Sequence, residues 1–158
     1  MLKMGISAIP KGLRVRDVMT SSVVFLCTYQ VLNEAWDVLH TNCISGAPVL
    51  NSLGRLVGIV SKADLADPRR QTADRPPTVR EVMTKVIYAV RGGDSILTAV
   101  RLMVDEDIHR AVVVGDDGSV VGILTPMDVL RALACGQDLA DPKQPDARLQ
   151  FVDLREMA

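Results

Sequence analysis

Aromatic residues are scarce in this chain, with one Trp, two Tyr and two Phe among 158 residues. Because 48% of the residues are apolar and 23% are charged, the composition is that of a globular protein, and its core must be aliphatic. An excess of positive charge is also missing, since 18 basic and 19 acidic side chains leave a formal net charge of −1. This balance argues against the basic surface on which nucleic-acid binding depends.

Long apolar runs are missing as well. No stretch approaches the roughly 18 residues of a membrane span, and the first residues lack the apolar core of a signal peptide. The three cysteines, Cys27, Cys43 and Cys135, are odd in number and form no C-x-x-C motif, so neither a disulfide framework nor a zinc site is indicated. We therefore expect a soluble, cytoplasmic protein with reduced thiols, no metal and no membrane contact.

Signatures of catalysis are also lacking. The sequence contains no H-E-x-x-H, P-loop, Rossmann fingerprint or G-x-S-x-G motif, and no nucleophile beside an oriented base. We expect a protein that is not an enzyme and that requires no cofactor.

What the sequence does contain is an internal duplication. The stretch VRDVMT (15–20) returns as VREVMT (79–84), and GRLVGIVSKAD (54–64) returns as GSVVGILTPMD (118–128), each 64 positions later. Without a gap, residues 14–66 and 78–130 agree at 14 of 53 positions, where composition alone would give about three. A repeat of this kind indicates that the chain consists of two similar structural units.

Each repeat predicts the order strand, helix, strand, strand, helix. In the first repeat VVFLC (23–27) is a buried strand and the apolar stripe after it indicates a helix of about three turns. In the second, Asp-Gly at 117–118 between two apolar runs is a strong hairpin signal. The fold class is therefore α+β. A single repeat buries too little surface alone, so we expect the two to pack about a pseudo-twofold axis.

The same reading divides the chain into five segments. They are an N-terminal segment 1–13, the first repeat 14–66, a polar linker 67–77, the second repeat 78–135 and a C-terminal tail 136–158.

Two positions in each repeat carry the most chemistry. Ser61 and Asp64 follow GIV, and Thr125 and Asp128 follow GIL. A hydroxyl residue followed three positions later by an acid is close to a helix capping box, although Glu or Gln is the usual partner. A helix N-terminus with a hydroxyl also suits a phosphate, and a carboxylate one turn later can accept both hydroxyls of a ribose. The residues alone leave capping and ligand binding equally open.

The order VxxVMT, helix, PVL and G-x-x-VGI-[S/T]-x-x-D, given twice over about residues 14–135, resembles the CBS domain, named after cystathionine β-synthase. Tandem pairs of this family form Bateman modules, so the resemblance implies a stand-alone pair of the bacterial type. It implies binding of AMP, ADP or ATP, with NAD and S-adenosylmethionine as alternatives, in clefts between the repeats. The hydroxyls of Ser61 and Thr125 would contact phosphate, and Asp64 and Asp128 would hold ribose.

The resemblance further implies an adenine pocket made by residues after VMT and beside the PV strand. These residues are Thr20, Val23, Gly46, Ala47, Thr84, Ile87 and Ala111.

His109 and Arg110 break the symmetry between the repeats, because their counterparts are Ser45 and Gly46. In the family, a basic pair at this place often reaches ligand phosphates, and Arg offers a planar fork of donors for that role. A solvated strand end is the alternative. The resemblance then implies unequal sites, with the phosphate-binding one nearer His109 and Arg110.

Two functions follow as hypotheses. In the first, the chain is a regulatory sensor in which an adenosine-containing ligand shifts a conformational equilibrium or a homodimer, and so signals to an unknown protein target. In the second, it is a ligand-free scaffold for dimerisation or docking. Replacing Asp128 discriminates between them, because only the sensor loses nucleotide binding.

Overall fold

The computed structural model describes residues 12–67 and 74–137 and a strand at Gln150–Asp153. The predicted segment 1–13, linker 67–77 and tail 136–158 therefore lie largely outside the described residues. The elements in chain order are α1 (Val15–Val18), β1 (Leu26–Cys27), α2 (Leu32–Thr41), β2 (Gly46–Leu50), β3 (Leu56–Ser61), α3 (Lys62–Leu65), α4 (Val79–Val82), β4 (Val86–Arg91), α5 (Ile96–Asp105), β5 (Ala111–Val114), β6 (Val120–Leu124), α6 (Pro126–Ala134) and β7 (Gln150–Asp153). This is the α+β fold with two repeats that the sequence predicts.

The first sheet has the order β1-β2-β3. β1 pairs with β2 in parallel, with Leu26 opposite Val49, and β2 pairs with β3 antiparallel, with Ala47 opposite Val60. The prediction of a strand over 23–27 is wrong in its length, because only Leu26 and Cys27 join the ladder of β2. Apolar character in residues 23–25 reflects partial burial and not strand pairing.

The second sheet has the order β6-β5-β4-β7. β4 and β5 are parallel, with Ala89 opposite Val112, and β5 and β6 form the predicted antiparallel hairpin, with Ala111 opposite Leu124. Gly118 adopts φ +79° in the turn, a conformation that the Asp-Gly sequence anticipates.

One helical turn at the start of each repeat was not predicted. α1 and α4 are the VRDV and VREV halves of the two echoing hexapeptides, and each buries its first valine, Val15 or Val79. Four residues are too few to show a helical period, which is why the pattern gave no helix here. α4 begins with a capping box in which the Thr78 N–H donates to Glu81 Oε2 at 2.8 Å.

The core is aliphatic, as the scarcity of aromatic residues predicts. The stripe on α2 buries Leu32, Ala35 and Leu39, which pack with strand residues of the first sheet. The largest fully buried side chains are Leu26, Leu39, Ile96, Leu102, Leu124, Val15, Val49, Val60, Val79, Val112, Val113 and Pro48.

The chain forms two compact units whose limits differ from those of the repeats. The described residues of one unit include 12–21 and 89–137, and those of the other include 22–67 and 74–88. The leading segment of the first repeat thus belongs with the β5–β6 hairpin of the second. Likewise, residues 79–88 of the second repeat belong with the first sheet. We propose that residues 14–66 and 78–135 are the repeated sequence segments, and that each compact unit combines parts of both repeats.

Two glycines allow these leading segments to approach the hairpins. A Cβ at Gly122 would lie 2.5 Å from Met19 Sδ and 3.2 Å from the Thr20 carbonyl oxygen, and one at Gly58 would lie 3.0 Å from the Thr84 carbonyl oxygen. A methionine can move aside, but a backbone carbonyl in a hydrogen-bonded pair cannot.

Gly122→Ala is therefore expected to lower the free energy of unfolding by about 1–3 kcal/mol, because the added methyl group separates two hydrogen-bonded segments. Urea denaturation would measure this loss. Gly93→Ala is the control, since a Cβ there meets nothing within 4 Å. Equal stability of the two variants would contradict a close approach at Gly122.

Helix α2 ends in a Schellman motif with a non-glycine residue at its left-handed position. Cys43 adopts φ 54°, while the Ile44 N–H donates to Leu39 O at 3.0 Å and the Cys43 N–H to His40 O at 3.0 Å. Cys43→Gly should raise the free energy of unfolding by about 0.5–1 kcal/mol, because glycine adopts this conformation without a Cβ clash.

The same denaturation experiment has an internal control at the end of α6. Gly136 fills the equivalent position with φ 74°, so Gly136→Ala should lower stability by about 1 kcal/mol. A loss of stability in Cys43→Gly would show that Cys43 makes a stabilising contact outweighing the backbone strain.

Candidate functional site

Helix α6 starts with a complete capping box. The Thr125 N–H and the Thr125 hydroxyl both donate to Asp128 Oδ2 at 2.8 Å, and the Asp128 N–H donates back to Thr125 Oγ1 at 3.4 Å. Pro126 occupies the first turn, where a missing N–H costs nothing. Glu or Gln is the usual reciprocal partner in such a box, but here one carboxylate oxygen of Asp128 accepts both bonds.

The other oxygen of Asp128 lies beside an arginine that the sequence analysis missed. Arg131 Nη1 is 3.4 Å from Asp128 Oδ1, one helical turn later. Asp128 is only 8% exposed, whereas the Arg131 side chain is 72% exposed. The sequence could have indicated this contact, because Asp128 and Arg131 lie three residues apart on a predicted helix and such residues are neighbours.

Strand register brings the basic pair to the same edge of the second sheet. Because Ala111 pairs with Leu124, the residues just before β5 lie beside those just after β6. Arg110, which is half-buried, and His109, which is exposed, therefore lie near Thr125. The roles of His109 and Arg110 in ligand binding stay predictions.

Thr20 belongs to this edge too, although it comes from the first repeat. Its N–H donates to Ile123 O at 2.9 Å, and the Ile123 N–H donates back to Thr20 O at 3.0 Å. Ile123 is two residues before Thr125. Thr20 thus shares a unit with Thr125, Asp128 and the buried Ala111, and not with Gly46 and Ala47 of its own repeat.

The unit built on the first sheet repeats this arrangement with a shorter helix. The Ser61 N–H and hydroxyl donate to Asp64 Oδ2 at 2.8 and 2.6 Å, at the start of the four-residue helix α3. Gly46 pairs with Ser61, and Thr84 exchanges two backbone hydrogen bonds of 2.9 Å with Ile59.

Three further predicted pocket residues belong to this unit, namely Val23, Ala47 and Ile87. Ala47 pairs with Val60, one residue before Ser61, and is buried. Val23 is half-buried and Ile87 is buried, and their roles in ligand binding stay predictions.

Across residues 12–67, 74–137 and 150–153, no group of three or more His, Cys, Asp or Glu side chains could hold a metal ion. Among the same residues, no helix combines the length and apolar character that crossing a bilayer requires.

Comparison with known sequences gives relatives that are longer than this chain. The uncharacterized protein MJ1232 of Methanocaldococcus jannaschii is 30% identical over 131 residues, covering 83% of this chain and 43% of that protein. The inosine-5'-monophosphate dehydrogenase of the same organism is 28% identical over 127 residues, covering 80% of this chain and 25% of the enzyme. The chain thus spans less than half the length of these curated relatives.

Comparison with solved structures gives proteins of similar fold. The CBS domain pair of protein MJ0100, in complex with 5'-methylthioadenosine and S-adenosyl-L-methionine, has a TM-score of 0.69 and 25% identity, covering 78% of this chain and 98% of that one. CBSX2 in complex with AMP also has a TM-score of 0.69, with 28% identity and coverage of 78% and 98%. A structure of CBSX2 from Arabidopsis thaliana has a TM-score of 0.67.

The sequence profile of the CBS domain matches twice, over residues 15–68 and 79–135. These matches cover both repeats, and each includes a hydroxyl–aspartate pair at a helix start together with the hairpin before it. Sequence profile and fold therefore agree, and the chain belongs to the CBS domain family.

Proposed function

We propose that this chain is a regulatory module that binds an adenosine-containing ligand at the edge of each hairpin. Two structures of similar fold, CBSX2 with AMP and the MJ0100 pair with 5'-methylthioadenosine and S-adenosyl-L-methionine, hold ligands of this class. The observation that carries the proposal is the convergence of Thr20, Thr125 and the buried carboxylate of Asp128 in one unit.

Each group has a chemical role in this proposal. The Asp128 carboxylate accepts hydrogen bonds from the ribose hydroxyls, which are donors of the right spacing for two carboxylate oxygens. The hydroxyl of Thr125, at the positive end of the α6 helix dipole, binds phosphate. The Thr20–Ile123 pair and the apolar Ala111 border the base. Arg110, just before β5, adds positive charge for phosphate groups, and the neighbouring His109 adds an N–H donor.

This charge favours AMP, ADP or ATP over NAD or S-adenosylmethionine at the α6 edge. Ser61 and Asp64, with Thr84, Gly46 and Ala47, form the second, less basic site, because Ser45 and Gly46 stand where the first site has His109 and Arg110. Val23 and Ile87 form the apolar wall of this second proposed site. No catalytic step is needed, so the protein acts as a sensor and not as an enzyme.

A ligand at the start of α6 can influence the outer face of the same helix. Three exposed apolar side chains, Met127, Leu130 and Leu133, follow one another at a spacing of three residues. We propose that this face contributes to a homodimer or to an unidentified protein target in the cytoplasm. A ligand then acts by binding one arrangement more tightly than the other, and it shifts the equilibrium by that difference in affinity alone.

A ligand-free scaffold is the second candidate. The specific observation in its favour is that both capping boxes are complete, so helix capping alone accounts for Ser61, Asp64, Thr125 and Asp128. The two functions differ in what Asp128 does when a nucleotide is added.

Thermal unfolding with AMP, ADP, ATP, NAD or S-adenosylmethionine tests the proposal. A ligand at a hundred times its dissociation constant should stabilise the protein by about 2.7 kcal/mol, which raises the unfolding midpoint by several degrees. Asp128→Ala should lower the free energy of unfolding by about 1 kcal/mol, because the cap is lost. It should also remove the rise in the unfolding midpoint that a ligand at this site causes.

Asp17→Ala is the matched control. Asp17 Oδ2 accepts the Arg14 N–H at 2.9 Å in the capping box of α1, within the same unit. This variant should lose some stability and keep the ligand-dependent rise. No rise with any of the five ligands would favour the scaffold.

A further inference from the structure

The hydrogen bonds of Asp128 leave little room for a ribose. A carboxylate has about four acceptor positions, two on each oxygen. At Asp128 the Thr125 N–H and hydroxyl occupy both positions of Oδ2, and Arg131 occupies one position of Oδ1. One position remains, whereas the two hydroxyls of a ribose need two.

If the Thr125 hydroxyl stops donating to Asp128, the carboxylate gains the second acceptor position that the ribose needs. That hydroxyl donates to Asp128 at 2.8 Å, at the helix start where we place the phosphate. If it turns to a phosphate oxygen, Oδ2 regains one position and the carboxylate accepts both ribose hydroxyls while Arg131 stays bound. A nucleoside without phosphate offers the Thr125 hydroxyl no such acceptor, so its ribose must displace an existing hydrogen bond.

Arg131 also changes the charge that an anionic ligand meets. The buried carboxylate of Asp128 repels phosphate, and a guanidinium 3.4 Å away offsets that charge. The first repeat has the opposite arrangement, because Asp67 stands at the position equivalent to Arg131. In the part of the chain that the structure describes, Asp64 Oδ1 accepts no hydrogen bond, so a ribose can bind there without any rearrangement.

We propose that Arg131 is a positioning residue that couples ribose binding at Asp128 to the presence of a phosphate. The α6 site thereby selects nucleotides over uncharged nucleosides. This inference rests on the proposed function and adds a residue and a ligand preference to it.

Amide NMR titration of the full chain tests the inference at one site. The amide signals of Thr125 and Asp128 report on the α6 site alone, and AMP and adenosine are the two probes. Arg131→Met should lower the ratio of AMP to adenosine affinity by about three- to tenfold, because AMP loses the charge offset and adenosine gains an open acceptor position.

Three features of the design separate this role from a structural one. Met keeps the helix propensity of Arg, and the side chain is 72% exposed, so the variant should fold with an unchanged unfolding midpoint. Arg131→Lys keeps a charged donor and should restore the ratio to within about twofold of the original. Arg80→Met removes the same charge from an exposed position on α4 and should leave the ratio unchanged.

The outcomes are distinguishable. If neither probe moves the two amide signals of the unmodified protein, both the proposed function and the inference are overturned. If AMP binds and Arg131→Met keeps the original ratio, or Arg131→Lys loses as much as Arg131→Met, the inference alone is overturned.

Discussion

Two pairs of backbone hydrogen bonds determine which residues can act together. Thr20 exchanges hydrogen bonds with Ile123, and Thr84 exchanges them with Ile59, so the last residue of each VMT motif pairs with the hairpin of the other repeat. Gly122 and Gly58 make these pairings possible, since a side chain at either position would strike the incoming methionine and carbonyl. The duplication is therefore more than two copies of one domain, because each compact unit needs a segment from the other copy.

The capping boxes at Ser61 and Thr125 consist of groups that suit helix capping and ligand binding equally well. A hydroxyl and a carboxylate that satisfy the first N–H groups of a helix also present the groups that a nucleotide requires. In the structure these groups cap the starts of α3 and α6. In our proposal, a ligand at α6 replaces one of these internal hydrogen bonds with its own, so binding and the start of the helix are energetically linked. Such a link is a physical route from ligand to the outer face of α6.

Much of the fold followed from local patterns. The stripe of Leu32, Ala35 and Leu39 predicted α2, and the Asp-Gly turn predicted the hairpin around Gly118. The one-turn helices α1 and α4 are too short for any period, and the strand over 23–27 was overestimated because apolar residues need a neighbouring strand to form a ladder.

The candidate site was predictable in its residue types but not in its grouping. Ser61, Asp64, Thr125 and Asp128 follow from a motif, whereas the contact of Thr20 with Ile123 is a long-range backbone pairing that leaves no side-chain signature. Arg131 could have been found from its spacing to Asp128.

A crystal structure of the full chain grown with AMP tests the central claim most directly. The account predicts ribose hydroxyls within hydrogen-bond distance of the Asp128 carboxylate, a phosphate oxygen accepting the Thr125 hydroxyl, and the base beside the Thr20–Ile123 pair. AMP bound at a different surface, with the Thr125 hydroxyl still donating to Asp128, would contradict it.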